Sequence, residues 1–278
     1  MYTWQTFGRE LIETEDLDPV YVMLVDSKAL MNDNLLKRWL LAYWCYYSCG
    51  VASRIAESDD FYASMWQGIH EKWPRGMERR YFWGRQAENA IQYLQEWGEP
   101  EAVVDHMTIH DTFQEASDAV QEFVGFGPWM GWKIVDMAER VLAIPVDFSE
   151  STLGIYKDPV QGAAFVRFGD WKHPITEAEL DEEVQRQVEE FKDLLAPPFY
   201  DRPPNIQEVE TNLCKAKASF KGFYPMGNDT YHVRESLKGW GDLAQELLGW
   251  CPRMRDGWVD EDGNLLRANR VEVVETYG

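Results

Sequence analysis

The stretch GFGPWMGWKIVDMAERVLAIPVDFS, residues 125 to 149, constrains the fold more than any other part of the chain. Gly125 and Gly127 flank Phe126, and Pro128 stands where a helix begins, a position that suits the fixed φ of proline. Met130, Ile134, Met137, Ala138 and Val141 then recur at helical spacing and predict an apolar stripe facing a core. A Gly-x-Gly turn lets backbone N–H groups approach an anion with no side chain in the way, and the helix N-terminus behind it adds partial positive charge. Gly125, Phe126 and Gly127 are thus a candidate DNA phosphate-binding hairpin, although the same pattern also fits a plain corner between two helices.

Helical signals dominate the rest of the chain. Asp18-Pro19 opens a helix to about residue 30, and Leu36, Trp39, Leu40, Tyr43, Trp44 and Tyr47 mark a buried helix over about 34–48. Further helices are predicted over 59–71, 84–97 (stopped by Gly98), 113–124, 205–219 and 233–248. Thr176 and Glu179 form a capping box for another that runs to about residue 195. Asp229 reads as the N-cap of the helix after it, and Asp262-Gly263 as the turn of a small hairpin in the tail. The expected fold is mainly α. Pro197, Pro198, Pro203 and Pro204 break the chain, which suggests a helical domain over 1–200 and a C-terminal helical segment and tail, 201–278, packing on it.

Charge narrows the function. With 48 acidic against 27 basic residues the net charge is -21, which argues against a general nucleic-acid coat protein. An enzyme that handles DNA is still allowed, provided its cations are gathered where the field matters. They are: basic residues concentrate at 75–85, 133–140 and 215–221, while acid dominates 176–193 and the two ends. The four cysteines form no CxxC pair, so free thiols in a reducing cytoplasm are expected. The N-terminal stretch lacks the basic-then-apolar order of a signal peptide, and no apolar run approaches a membrane span.

On the helix after the hairpin, Trp129, Lys133, Asp136 and Arg140 fall within about 60° of one another, beside the apolar stripe. They fit either an ion-pair ladder or the wall of a cleft that binds a zwitterion or a phosphate. Hairpin, helix and an aspartate after Pro145-Val146 together resemble the helix–hairpin–helix DNA glycosylase superfamily, in which the aspartate matching Asp147 lies at the mouth of the base pocket. The chain departs from that pattern by continuing Phe148-Ser149-Glu150.

Four blocks carry a narrower likeness: LLAYWCYYSCGVASRIA (40–56), RGMERRYFWGRQ (75–86), GFGPWMGWKIVDMAERVL (125–142) and GFYPMGNDTYHV (222–233). In that order they resemble the phage thymine-hypermodification proteins, the α-glutamyl/putrescinyl-thymine pyrophosphorylases or amino acid:DNA transferases. These are relatives of the helical domain attached to 5-hydroxymethyluracil DNA kinases. Lys133 is set in Gly131-Trp132-Lys133-Ile134, which is no Walker A loop, so the resemblance points to the transferase rather than the kinase.

The resemblance implies that a kinase first installs diphosphate on 5-hydroxymethyl-deoxyuridine in DNA. The transferase then displaces it with an amine, often the α-amine of an amino acid such as glycine. Such a target base has to leave the stack. Tyr43, Tyr47, Phe82 and Trp129 are candidates to hold it, and Arg79, Arg80 and Arg85, with Lys133, Arg140, Lys215 and Lys217, to bind substrate or diphosphate. Asp147, and after it Asp136, is the candidate acceptor of the amine's proton. Diphosphate would welcome Mg²⁺, but no carboxylate cluster marks a metal site. Two rival readings are a base-excision glycosylase using Asp147 and an acidic DNA mimic without catalysis.

Overall fold

A computed structural model describes residues 3–266. Among them are fourteen α-helices and no strand, so the mainly α expectation holds. Helices α1 (Trp4–Glu13), α2 (Pro19–Asp26), α3 (Asp33–Tyr46), α4 (Cys49–Ala56) and α5 (Phe61–His70) come first. A short 3-10 turn, Met77–Arg79, precedes α6 (Gly84–Trp97), α7 (Pro100–Thr108), α8 (Phe113–Gln121) and α9 (Pro128–Arg140). Then follow α10 (Lys157–Phe168), α11 (Glu177–Glu190), α12 (Ile206–Phe220), α13 (Asn228–Leu237) and α14 (Asp242–Trp250).

The chain divides into two compact units. One gathers the described parts of Met1–Val22, Ser151–His232 and Pro252–Gly278; the other is Met23–Glu150 with Val233–Cys251. The proline-rich stretch 197–204 lies inside the first unit, with Pro197 and Pro198 buried and the Ala196 N–H bonded to the Arg202 carbonyl.

In the first unit α10 and α12 pack closely. A Cβ on Gly162 would stand 2.1 Å from the Leu213 carbonyl oxygen, so only glycine lets the two backbones approach. The Thr176–Glu179 capping box forms as expected, and a second one, Asn205 with Glu208, opens α12. The tail turn is present too: Val259 bridges Leu265 antiparallel, with Gly263 at φ +81°. Residues 267–278 of the predicted tail lie outside the described residues.

In the second unit α3 is capped by Asn32, whose Oδ1 accepts the Leu35 N–H at 2.9 Å. Its buried face, including Leu36, Trp39, Leu40, Tyr43 and Trp44, is the one that the apolar spacing predicts. The single helix expected over 233–248 is instead two, α13 and α14, because Gly239 (φ +80°) and Gly241 (φ +112°) turn the chain left-handed between them.

Candidate functional site

The apolar stripe of α9 is buried as its spacing requires: Met130, Ile134, Met137, Ala138 and Val141 are all inside the second unit. Helix α8 lies against α9 closely enough that a Cβ on Gly131 would come within 2.6 Å of Ser117 Oγ. Between them Gly125 takes φ +85°, and the Phe126 N–H returns to the Phe123 carbonyl at 3.0 Å. Gly127 is the N-cap of α9 and supplies no side-chain acceptor, while Pro128 is at N1. The N–H groups of the first turn of α9 are thus left without a capping side chain, at the positive end of the helix. Gly127 is exposed, and a Cβ there would meet no atom within 4 Å.

Behind the hairpin is Arg79. Its Nη1 donates to the Gly125 carbonyl at 2.8 Å and its Nε to the Cys45 carbonyl at 3.1 Å. The guanidinium also lies 4.7 Å from the Phe82 ring centroid and 5.0 Å from that of Phe126. It is 7% exposed, and no carboxylate pairs with it among the described residues. Burial pulls its pKa below the usual arginine value. The structure thus places Arg79, expected to bind diphosphate, inside the unit as a strut of the hairpin. Its charge, with no carboxylate beside it, adds positive potential beneath the turn in a chain of net charge -21.

A column of aromatic rings runs up α3 to the same place. Trp39 stacks on Tyr43 at 5.0 Å, Tyr43 on Tyr47 at 4.6 Å, and Tyr47 meets Trp129 at 5.7 Å. Trp39 and Tyr43 are buried, whereas Tyr47 and Trp129 are half-buried. Burial, reinforced by Tyr47, holds the Tyr43 hydroxyl well above the usual tyrosine range. Tyr47 is the left-handed C-cap of α3 (φ +52°), so the stacked row ends where the helix does. Of the four expected base-pocket residues, Tyr47 and Trp129 therefore form the accessible end, while Tyr43 and Phe82 belong to the core behind it.

The arginine-rich segment divides in the same way. Arg75 lies 4.2 Å from the Trp83 ring centroid and donates to the Phe82 carbonyl. Arg80, over the Tyr81 ring at 4.7 Å, and Arg85 are both exposed. Met77, Tyr81 and Trp83 are exposed as well, so arginines and aromatics alternate on one solvent-facing segment.

Lys133, Asp136 and Arg140 on α9 are all buried. Lys133 Nζ stands 3.9 Å from Asp136 Oδ2, and Arg140 Nη1 stands 3.6 Å from Glu139. Of the expected ladder the Lys133–Asp136 step is present at 3.9 Å, and all three side chains are buried rather than on an open wall. Asp147 is exposed. Its Oδ1 accepts the Ser149 N–H at 2.8 Å, and its backbone pairs with Asp111 and Phe113. Those Ser149 hydrogen bonds hold the Asp147 carboxyl below the usual aspartate value.

Lys215 and Lys217 belong to the first unit, and both are buried. Lys215 Nζ donates to the Asp16 carbonyl at 2.7 Å and to the Leu17 carbonyl, and sits 2.7 Å from Asp229 Oδ2. An ammonium has three N–H donors, and these acceptors engage all three of Lys215, which was expected to contact phosphate. Lys217 is held by Asp158 and by Gln161 Oε1 at 3.1 Å. Asp229, expected as an N-cap, instead lies inside the first turn of α13 and faces Lys215. The capping is done by Asp16, which accepts from the Gly227 N–H (2.8 Å), the Thr230 N–H (2.9 Å) and Thr230 Oγ1 (2.8 Å). Sequence reasoning missed Asp16 because a partner 214 positions away leaves no local pattern.

No group of three or more His, Cys, Asp or Glu residues suited to a metal ion occurs among the described residues. None of their helices is long and apolar enough to cross a membrane.

Comparison with known proteins matches the chain to a family. The chain is 35% identical over 279 residues to a glycinyltransferase of Pseudomonas phage PaMx11, covering 90% of this chain and 95% of the relative. It is 27% identical over 263 residues to a putrescinyltransferase of Delftia phage PhiW-14, covering 90% and 83% respectively. The model of the amino acid:DNA transferase family matches residues 12–223, a span that holds the hairpin, the aromatic column and the arginine-rich segment, and the chain belongs to that family.

Proposed function

We propose that the protein joins an amine to the 5-methylene carbon of 5-diphosphomethyl-deoxyuridine in DNA and releases diphosphate. The donor is the α-amine of an amino acid such as glycine. The observation that carries this reading is the meeting of Tyr47 and Trp129 at 5.7 Å, two residues from the capless N-terminus at Gly127. An extruded base requires a π face, and its backbone requires N–H donors. Here both lie within three residues of one another. The hairpin and α8–α9 then serve as a helix–hairpin–helix element that grips one DNA phosphate. The greater likeness to a glycinyltransferase than to a putrescinyltransferase supports an amino acid as donor.

In the reaction the amine nitrogen forms a bond to the methylene carbon as the carbon–oxygen bond to diphosphate breaks. The nitrogen gives up a proton, and the leaving group departs with the bonding electrons. Asp147 is the first choice to accept the proton. Ser149 keeps its carboxylate ionised, and its exposure leaves it open to a donor amine. Asp136, buried beside Lys133, is the second. The exposed Arg80 and Arg85 are placed to meet phosphate oxygens, for which the planar guanidinium fork is suited. A 5-hydroxymethyluracil DNA kinase would supply the diphosphate.

The test is nucleoside mass spectrometry of DNA carrying 5-diphosphomethyl-deoxyuridine after incubation with the protein, amino acids and polyamines. A new amine-substituted deoxyuridine with released diphosphate supports the proposal and identifies the donor. Loss of the base would favour a glycosylase using Asp147, and intact nucleosides would favour a non-catalytic DNA mimic.

A further inference from the structure

We propose that a lysine cluster around Trp171, on the first unit, is a second phosphate-binding face that holds the DNA backbone. The proposal rests on DNA being the substrate, as argued above, and adds a binding surface remote in sequence from the hairpin.

The cluster draws on three segments: Lys157 at the start of α10, Trp171 and Lys172 in the turn after α10, and Lys217 and Lys221 at the end of α12. Lys221 Nζ stands 3.6 Å from the Trp171 ring centroid and Lys172 Nζ 5.0 Å from it, so one half-buried indole carries two ammonium groups. Burial, then the neighbouring ammonium groups of Lys217, Lys157 and Lys172, push Lys221 below the usual lysine value against the opposing pull of Asp158.

Lys37, Lys192, Lys215, Lys217 and Lys238 each lie on a carboxylate. Lys157, Lys172 and Lys221 have no ion pair among the described residues, in a chain with 48 acidic side chains. Lys28 and Lys72 also lack an ion pair among the described residues, but only here are three unpaired ammonium groups gathered, two of them over one ring, and close enough to act on one another. Two acids are near, and both are engaged. Asp158 is held by Lys217, and Asp170 Oδ1 accepts the Lys172 backbone N–H at 2.9 Å. Like charges gathered without acids are repelled unless an anion joins them. Ammonium groups from three segments on an open surface fit an extended polyanion better than a single small ion, and the phosphodiester backbone is that polyanion.

The experiment measures binding of the full chain to a fluorescently labelled, unmodified duplex by anisotropy over a range of salt concentrations. It compares the wild type, the double variant Lys172→Ala/Lys221→Ala, and a control, Lys192→Ala/Lys238→Ala, that removes two paired surface lysines. The cluster variant should bind about tenfold more weakly at low salt and show a salt slope shallower by about two, one for each phosphate no longer neutralised. The control should match the wild type. In the transfer assay KM for DNA should rise in the cluster variant while kcat at saturating DNA stays unchanged. Wild-type affinity and slope in the cluster variant would overturn the proposal. So would weakened binding of inorganic diphosphate with DNA binding intact, which would reassign the cluster to the free anion. DNA binding without any transfer product would sink the reaction proposed above but not this surface; no DNA binding at low salt would sink both.

Discussion

Arg79 Nη1 donates to the carbonyl of Gly125 at 2.8 Å, tying the arginine-rich segment to the one hairpin residue that must be left-handed. The same guanidinium reaches the Cys45 carbonyl at the end of α3, so one buried side chain ties the hairpin to the stretch of α3 between Tyr43 and Tyr47. Arg79→Ala should strand both carbonyls, at a cost of about 1–3 kcal/mol for each acceptor left buried and unsatisfied. A lowered melting temperature with wild-type helical content would be the expected result. Lys at this position lacks the fork needed to reach both carbonyls and should recover only part of the loss. An unchanged melting temperature in Arg79→Ala would refute the strut.

Trp129 should separate function from folding. Half-buried at the open end of the column, it is less involved in the core than Trp132, which is fully buried three residues on. Base–aromatic stacking is worth about 1–3 kcal/mol per base. Trp129→Ala should therefore lower transfer efficiency by roughly tenfold to a hundredfold, with a modest effect on melting temperature. Trp129→Phe should retain most of the activity. If Trp129→Ala kept full activity on modified DNA, Tyr47 and Trp129 would not be a base platform.

The parts of the molecule that sequence makes legible are those governed by local chemistry. Pro128 after Gly127, the apolar stripe of α9 and the Thr176–Glu179 capping box all depend on neighbours within four residues, and all are present in the fold. The side-chain roles are harder to read because their meaning lies in tertiary partners. Arg79, Arg80 and Arg85 look alike in sequence, yet a carbonyl on α3 and one on the hairpin draw the first inward and leave the others exposed. Lys215 has the sequence setting of a solvent-facing helix end, and only the fold brings Asp16 and Asp229 over it.

That buried cluster predicts a pH dependence of stability. Burial raises Asp16 from 3.8 to about 6 despite the nearby Lys215. A raised carboxyl pKa means that the folded state binds more protons, so this contribution is full below the unfolded value and is lost as pH rises toward about 6. Asp229 has the opposite sign. Lys215 holds its pKa down, so its contribution is present above the unfolded value and is lost on acidification. Lys215→Met removes the cation that both carboxylates share, leaving Asp16 and Asp229 to repel each other in the interior, with the charge of Asp18 nearby. Asp16 is fully buried but the Asp229 side chain is 37% exposed, so solvent screens part of the repulsion and the loss is about 1–3 kcal/mol when the acids are ionised. The loss should be clearly larger at about pH 8 than at about pH 5, where Asp16 is mostly protonated. Thermal melts at the two pH values test this, and an equal loss at both would show that Lys215 acts by packing rather than charge.

Two glycines on the hairpin and its helix give the sharpest test of phosphate binding, because they differ in what surrounds them. A Cβ at Gly131 would fall 2.6 Å from Ser117 Oγ but 3.5 Å from the Ser117 Cβ and carbonyl, so Gly131→Ala has only to turn that hydroxyl away from Gln121, at a cost of about 0.5–1.5 kcal/mol. A Cβ at Gly127 would meet nothing within 4 Å, and its φ of -96° is open to any residue. In the free protein Gly127→Ala meets no clash, and the poorer N-cap preference of alanine should lower the melting temperature only slightly. If a DNA phosphate lies on the N–H groups of α9, the added methyl group stands where its oxygens must approach, and DNA affinity should fall about tenfold or more. Gly131→Ala should lose a little stability and keep its DNA affinity, whereas Gly127→Ala should lose chiefly affinity. A Gly127→Ala protein that binds duplex DNA like the wild type would place the phosphate elsewhere and reduce the turn to a corner between two helices.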